Sequence, residues 1–153
     1  MNLITESLRP KDLRLALKAT DHQDALEEIL SGLRSDARVV DWKKLRDSLQ
    51  ANSVNDTFRE NSCTMFLHHA RTESVNGLIL AVGRSKEGVS IVGREEKIRL
   101  IFVAAMPTAM NNEYLRILGA VARVCREPSS FQELLAAEDP AGFLTLLEKG
   151  CRQ

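Results

Sequence analysis

Two hydrophobic periods alternate along the chain. Asp12 to Lys18 repeats every second residue, with Leu13, Leu15 and Leu17 on one side and Arg14 and Lys18 on the other, which predicts a short half-buried strand. Thr20-Asp-His-Gln23 then fits a capping box, with Thr20 bonding the first-turn amides and Gln23 reaching back. Ala25, Leu26, Ile29, Leu30 and Leu33 follow at helical spacing and predict a helix to about Ser35. Asp41 caps a second short helix carrying Trp42, Leu45 and Leu49. Gln50 to Asn61 has no period and many turn formers, and reads as a loop.

The middle of the chain reads as sheet. Cys63 to His69 is a strand ending in two histidines. Val75 to Val82 and Gly88 to Val92 are apolar or alternating runs separated by Gly83-Arg-Ser-Lys-Glu87, and Gly93 to Glu96 is a turn. Ile98 to Met106 is almost continuously apolar, which predicts an interior strand covered on both faces, and Pro107 ends it. Asn111 or Asn112 caps a helix whose one side is Leu115, Leu118, Val121, Ala122 and Cys125. Ser129-Ser-Phe-Gln132 fits a second capping box, opening a helix to Ala137. Asp139-Pro140 pairs an N-cap with proline at the first helical position of a last helix, which carries Phe143, Leu144 and Leu147 and stops at Gly150. Together these elements predict an α/β single-domain sandwich over residues 1–153: a mixed central β-sheet flanked on both faces by helices.

Composition narrows the partners. Lys+Arg and Asp+Glu are both 21, so the formal net charge is zero, which gives no support to nucleic acid or a polybasic membrane contact. The longest apolar run, Leu100 to Pro107, falls far short of the roughly 20 residues that cross a bilayer, and Met1 to Lys18 carries charges where a secretory signal needs an apolar stretch. Membrane insertion is therefore not expected. Cys63, Cys125 and Cys151 are odd in number, lack CxxC spacing and read as reduced thiols of a cytoplasmic protein. His68 and His69 with Cys63 have no fourth ligand at a recognisable spacing, and adjacent strand residues diverge, so neither a metal nor a cofactor is expected.

Leu67-His-His-Ala-Arg71 resembles the Pro-His-Ala-Arg segment of the fructose/mannitol-type IIA domains of the bacterial sugar phosphotransferase system, whose nitrogen-regulatory branch shares the pattern. The helix with Asp24-Ala-Leu-Glu-Glu28, the hairpin Gly88 to Pro107 and the helix Leu115 to Val124 resemble the order of that family, so the likeness runs from about Leu3 to Lys149. The resemblance implies that His69 is a phosphoacceptor. It implies an HPr-like phosphocarrier protein as donor, and a IIB domain or a regulated target protein as the onward partner. The sugar would be read by partners, not by this chain.

Three departures from the family pattern stand out. His68 replaces the proline before the active histidine. Tyr114 occupies the position of a second histidine. The stretch Asn52 to Asn55 lacks the arginine of an Arg-Glu pair that helps hold the phosphoryl group, leaving Arg59 and Arg71 as the nearest replacement cations. Phosphoryl transfer needs a neutral imidazole whose other nitrogen is held, with donors around three charged oxygens. His69 at a strand end suits that task, and Tyr114 can offer an O–H but not a charge. Strand alternation sends His68 the other way, toward the core or a flanking helix, while His22 in a helix first turn reads as solvated. Two functions remain open: a phosphocarrier, which would be a phosphotransferase component, or a degenerate IIA-like regulatory module that binds a partner without phosphotransfer.

Overall fold

The computed structural model describes residues 3–51, 57–60 and 63–151. The elements run α1 (Leu3–Ser7), β1 (Leu13–Arg14), α2 (His22–Ser31), α3 (Trp42–Ala51), β2 (Thr57–Glu60), β3 (Cys63–Arg71), β4 (Ile79–Ser90), β5 (Lys97–Met106), α4 (Asn111–Arg126), α5 (Pro128–Ala136) and α6 (Pro140–Cys151). The sheet is mixed, with strand order β1-β4-β5-β3-β2. β4–β5 and β2–β3 are antiparallel, while β3 runs parallel to β5 and β1 parallel to β4. β5 is central, as its unbroken apolar run requires: every residue from Leu100 to Met106 is buried.

Alternation along β5 feeds two cores. Leu100, Phe102, Ala104 and Met106 pack with α1, α4, α5 and α6. Ile101, Val103 and Ala105 pack with α2 and α3. The sheet is thus covered on both faces, the α/β sandwich read from the sequence. α2 lies directly on backbone: a Cβ at Gly83 would stand 2.5 Å from the Ile29 side chain and 2.8 Å from that of Leu17. An ionic knot fastens α1 to the segment after α2. The buried Asp36 carboxylate receives Arg9 and Arg38, and Arg38 Nη1 also donates to the carbonyls of Ser7 and Leu78. Burial alone would raise the Asp36 carboxyl. The Arg38 hydrogen bonds and the two guanidinium charges outweigh it and hold the group down to about 2.

Several local expectations are corrected. The loop read over Gln50 to Asn61 contains β2, whose Thr57 to Glu60 pair with Phe66 to Cys63. Its polar residues mask a strand at the sheet edge. β1 is two residues long rather than seven, because beyond Arg14 the ladder gives way to bonds with one side chain and its backbone: Arg84 Nε donates to the Leu15 carbonyl and Leu17 N–H to the Arg84 carbonyl. The two runs before and after Gly83 belong to one strand, β4. Its Ser85–Gly88 stretch bulges against β5, with Gly88 at φ 91°. Asp21, not Thr20, caps α2 by accepting from Asp24 N–H, and that helix ends at Ser31. α5 opens on Pro128 with no side-chain cap from Glu127, while Ser129 Oγ donates to the Glu127 carboxylate instead. Asp41 and Asp139 cap α3 and α6 as expected, accepting from the N–H groups of Lys44 and Gly142.

Candidate functional site

His69 and His68 are successive residues of β3, and the pleat sends them to opposite faces. His69 lies beside Ala104 of β5 near the carboxyl end of the parallel β3–β5 pair, where open α/β sheets place their ligands. Leu67, on the same face, packs with the α4 core, whereas Phe66 and Ala70 pack with α2 and α3.

The chain after β5 is shaped to bring α4 over His69. Pro107 ends the strand, and a short 3-10 turn follows at Thr108–Met110. That turn is tied back across the sheet end: Thr108 N–H donates to the Glu73 carboxylate and Thr72 N–H to the Met106 carbonyl. α4 then starts at Asn111. Met110, and neither asparagine, stands at the cap, and it makes no side-chain hydrogen bond. The opening of α4 thus has no capping side chain, with the Asn111 N–H already donating to the Thr108 carbonyl of the preceding turn, and a helix start of this kind favours an anion.

The buried stripe of α4 is Tyr114, Ile117, Ala120, Val121, Val124 and Cys125, with Ala122 beside it, whereas Leu115 is 52% exposed. Of the face read from the sequence, Val121, Ala122 and Cys125 are buried and Leu118 packs against the same core, while Leu115 is turned out. Tyr114 instead points inward, where it is 5% exposed and stacks on His69 with ring centroids 5.6 Å apart and planes 23° from parallel. An aromatic pair of this kind contributes about 0.5–1.5 kcal/mol and restricts how the imidazole can turn.

The other expected site residues stand apart. Arg71 is the last residue of β3, on the His69 face by alternation. It is exposed and makes no hydrogen bond or ion pair among the described residues. Asn52 to Asn55 lie outside the described residues, as does the side chain of Arg59, although its backbone pairs with Thr64. Among the described residues no group of three or more His, Cys, Asp or Glu converges as metal ligands, and no helix is long and apolar enough to cross a membrane.

On the far face, His68 is fully buried. Its Nε2 lies 2.7 Å from His22 Nε2 and its Nδ1 3.4 Å from the Leu49 carbonyl. His22 is 7% exposed, which corrects its reading as a solvated residue. With Asp21 as the cap, His22 becomes the first residue of α2 and turns in over Phe66, ring centroids 4.4 Å apart. Desolvation drives the His68 pKa down to about 4, helped by the nearby His22 and His69 and opposed by the Leu49 hydrogen bond. Desolvation also lowers His22, with Arg94 adding to the effect and Asp21 opposing it. Nothing in the local sequence around His22 signals this pairing, because it joins residues 46 apart.

The arrangement is an α/β sandwich centred on one accessible-edge histidine held under a helix start. Residues 6–150 match the family described as phosphoenolpyruvate-dependent sugar phosphotransferase system, EIIA 2, and the chain belongs to that family. It is 22% identical over 147 residues to the fructose-specific EIIABC component of Bacillus subtilis, covering 95% of this chain and 23% of that protein. It is 32% identical over 71 residues to the fructose-specific EIIA component of Haloferax volcanii, covering 46% of each. The chain therefore spans less than half the length of these relatives. Among solved structures, the nitrogen regulatory protein IIA-Ntr of Neisseria meningitidis superposes with a TM-score of 0.80 at 19% identity, covering 95% of this chain and 99% of that one. The enzyme IIA of the Escherichia coli complex between mannitol enzyme IIA and phosphorylated enzyme IIB superposes with a TM-score of 0.69 at 17% identity, covering 91% and 95%.

Proposed function

We propose that this chain is a cytoplasmic phosphohistidine carrier in which His69 accepts a phosphoryl group from an HPr-like phosphocarrier and hands it to a IIB domain or uses it as a regulatory mark. One observation carries the reading: His69 sits at the carboxyl end of an interior parallel strand, against Tyr114 and below the uncapped start of α4. One imidazole nitrogen attacks phosphorus. The new N–P bond forms as the donor's N–P bond breaks, and that electron pair returns to the donor's imidazole. This reading gives the α4 start and Arg71, on the His69 face of β3, the task of meeting the three phosphoryl oxygens.

Tyr114 limits the reaction. A charge-assisted hydrogen bond from a second histidine would supply about 1.5–3 kcal/mol. A phenol can offer an O–H but no charge, for about 0.5–1.5 kcal/mol. Tyr114→His is therefore expected to speed phosphorylation of His69 by roughly tenfold. The test is a time course with phosphoenolpyruvate, enzyme I and the cognate HPr, read by intact mass, on wild type, Tyr114→His and His69→Ala. A fast wild type that Tyr114→His does not improve means the site is complete as it stands.

A second reading, a partner-binding IIA-like module without phosphotransfer, is favoured by the same Tyr114 in place of a second charged group and by Arg71 making no ion pair or hydrogen bond among the described residues. It predicts that none of the three proteins gains mass.

A further inference from the structure

The phosphocarrier reading makes no use of the most unusual polar feature of the molecule, the buried pair behind the sheet. Two imidazoles meet nitrogen to nitrogen at 2.7 Å, stacked with centroids 4.8 Å apart and planes 14° from parallel. Only one proton fits between those nitrogens. The Leu49 carbonyl next to His68 Nδ1 accepts and cannot donate, so His68 carries its proton there. His68 Nε2 is then the acceptor and His22 Nε2–H the donor. The geometry selects one tautomer for each ring: Nδ1–H for His68 and Nε2–H for His22.

This bond is a junction of three elements. His22 is the first residue of α2, Leu49 lies near the end of α3, and His68 is in β3. We propose that His22 and His68 form a proton-operated latch that holds α2 and α3 against β3, and that acid opens it while the α4 face carrying His69 stays closed.

One proton can enter at His22 Nδ1 and leave the bond intact. A second must go to His68 Nε2, where it would face His22 Nε2–H at contact distance, so the bond breaks. The surrounding charges shape this uptake. Asp21 beside His22 favours its protonation; Arg94, from the turn between β4 and β5, opposes it, as does the helix N-terminus on which His22 sits. His69, on the same strand, opposes charge on His68; α3 contributes the Leu49 carbonyl. His22 also lines a cavity of about 200 Å³ with Asp21, Phe66, Ser90 and Arg94, and the latch takes this as the side from which water meets the pair.

The chain carries its own reporters. Its single tryptophan, Trp42, lies in α3 and packs into the α2–α3 core, and its single tyrosine, Tyr114, lies in the α4 core. The experiment is an acid titration of the intact chain. Trp42 fluorescence and the Tyr114 ring resonances are followed together, with ¹⁵N spectra of the histidine rings recorded in parallel. The expected results are the two tautomers named above at neutral pH, and a Trp42 transition about one pH unit or more above that of Tyr114. In the double variant His22→Phe, His68→Phe the early Trp42 transition should vanish. Replacing both partners by apolar rings removes the two facing nitrogens together and takes a donor only from the Leu49 carbonyl, so this variant is chosen over either single one. Two rings that titrate independently near the ordinary histidine value would overturn the latch. So would coincident Trp42 and Tyr114 transitions, or an early Trp42 transition that survives in the double variant. If that variant does not fold, the wild-type ring spectra and the order of the two transitions still decide.

Discussion

His68 and His69 share a strand, a sequence neighbourhood and a side chain, and they have opposite fates. His69 is half-buried at the sheet end against Tyr114. His68 is sealed between α2, α3 and β3, and its pKa falls to about 4. The difference comes from the pleat alone: one residue of register decides whether an imidazole reaches the sheet end or is sealed in the core. The proposed chemistry belongs to the face where the strand ends under a helix start. On the other face the same ring is a cross-brace.

The largest effect expected is the loss of all phosphoryl acceptance in His69→Ala, measured as absence of the mass gain, with the melting temperature close to wild type because the ring is only half-buried. Loss of acceptance in His68→Ala with unchanged stability would reverse the two roles.

Next in size is stability. His68→Ala removes a buried ring and leaves His22 without its partner, so it is expected to cost about 3 kcal/mol in chemical denaturation. Its site should remain able to take phosphate.

The pH dependence sharpens the same contrast. The folded-state value of His68 lies below its ordinary 6.5, so the unfolded chain binds more protons in between. Stability is full above 6.5 and falls as pH drops toward about 4, by up to about 3 kcal/mol. Asp36, held down to about 2, adds a further loss only below its ordinary 3.8. Denaturation midpoints across that range should decline in wild type and stay flatter in the His22→Phe, His68→Phe double variant.

The smallest effect tests the frame rather than the histidines. Asp41→Ala removes the cap of α3 and should cost about 1 kcal/mol without altering phosphate acceptance.

Much of this was legible in the sequence where burial is continuous or turn chemistry is local. Ile98 to Met106 reads as interior because both its faces are apolar, and Asp41 and Asp139 read as caps because their partners are three residues on. His68 reads as inward from alternation alone. What stayed hidden depends on distant residues. β2 is polar because it is an edge, so only its partner β3 identifies it. β4 reads as two runs because its bulge interrupts the period. The inward turn of Tyr114 reflects where α4 meets the sheet, not which of its residues are most apolar. His22 reads as solvated because a histidine in a helix first turn is polar and near the surface until another histidine, 46 residues away, covers it.

The strand order has a consequence for how the molecule is assembled. β2–β3 and β4–β5 are each closed by short connections, so each hairpin can form from neighbouring residues. The parallel β3–β5 ladder is the seam that joins them, and His69 with Ala104 lies on that seam. Neither hairpin alone contains the site. The proposed site comes into existence only when the two dock and α4 closes over the join, so an unfinished chain, or one caught before docking, would offer no assembled His69–Tyr114 pair. Amino-acid replacements along the seam, such as Phe66→Ala or Ile101→Ala, should therefore slow the last step of folding and delay reactivity toward the donor by the same interval.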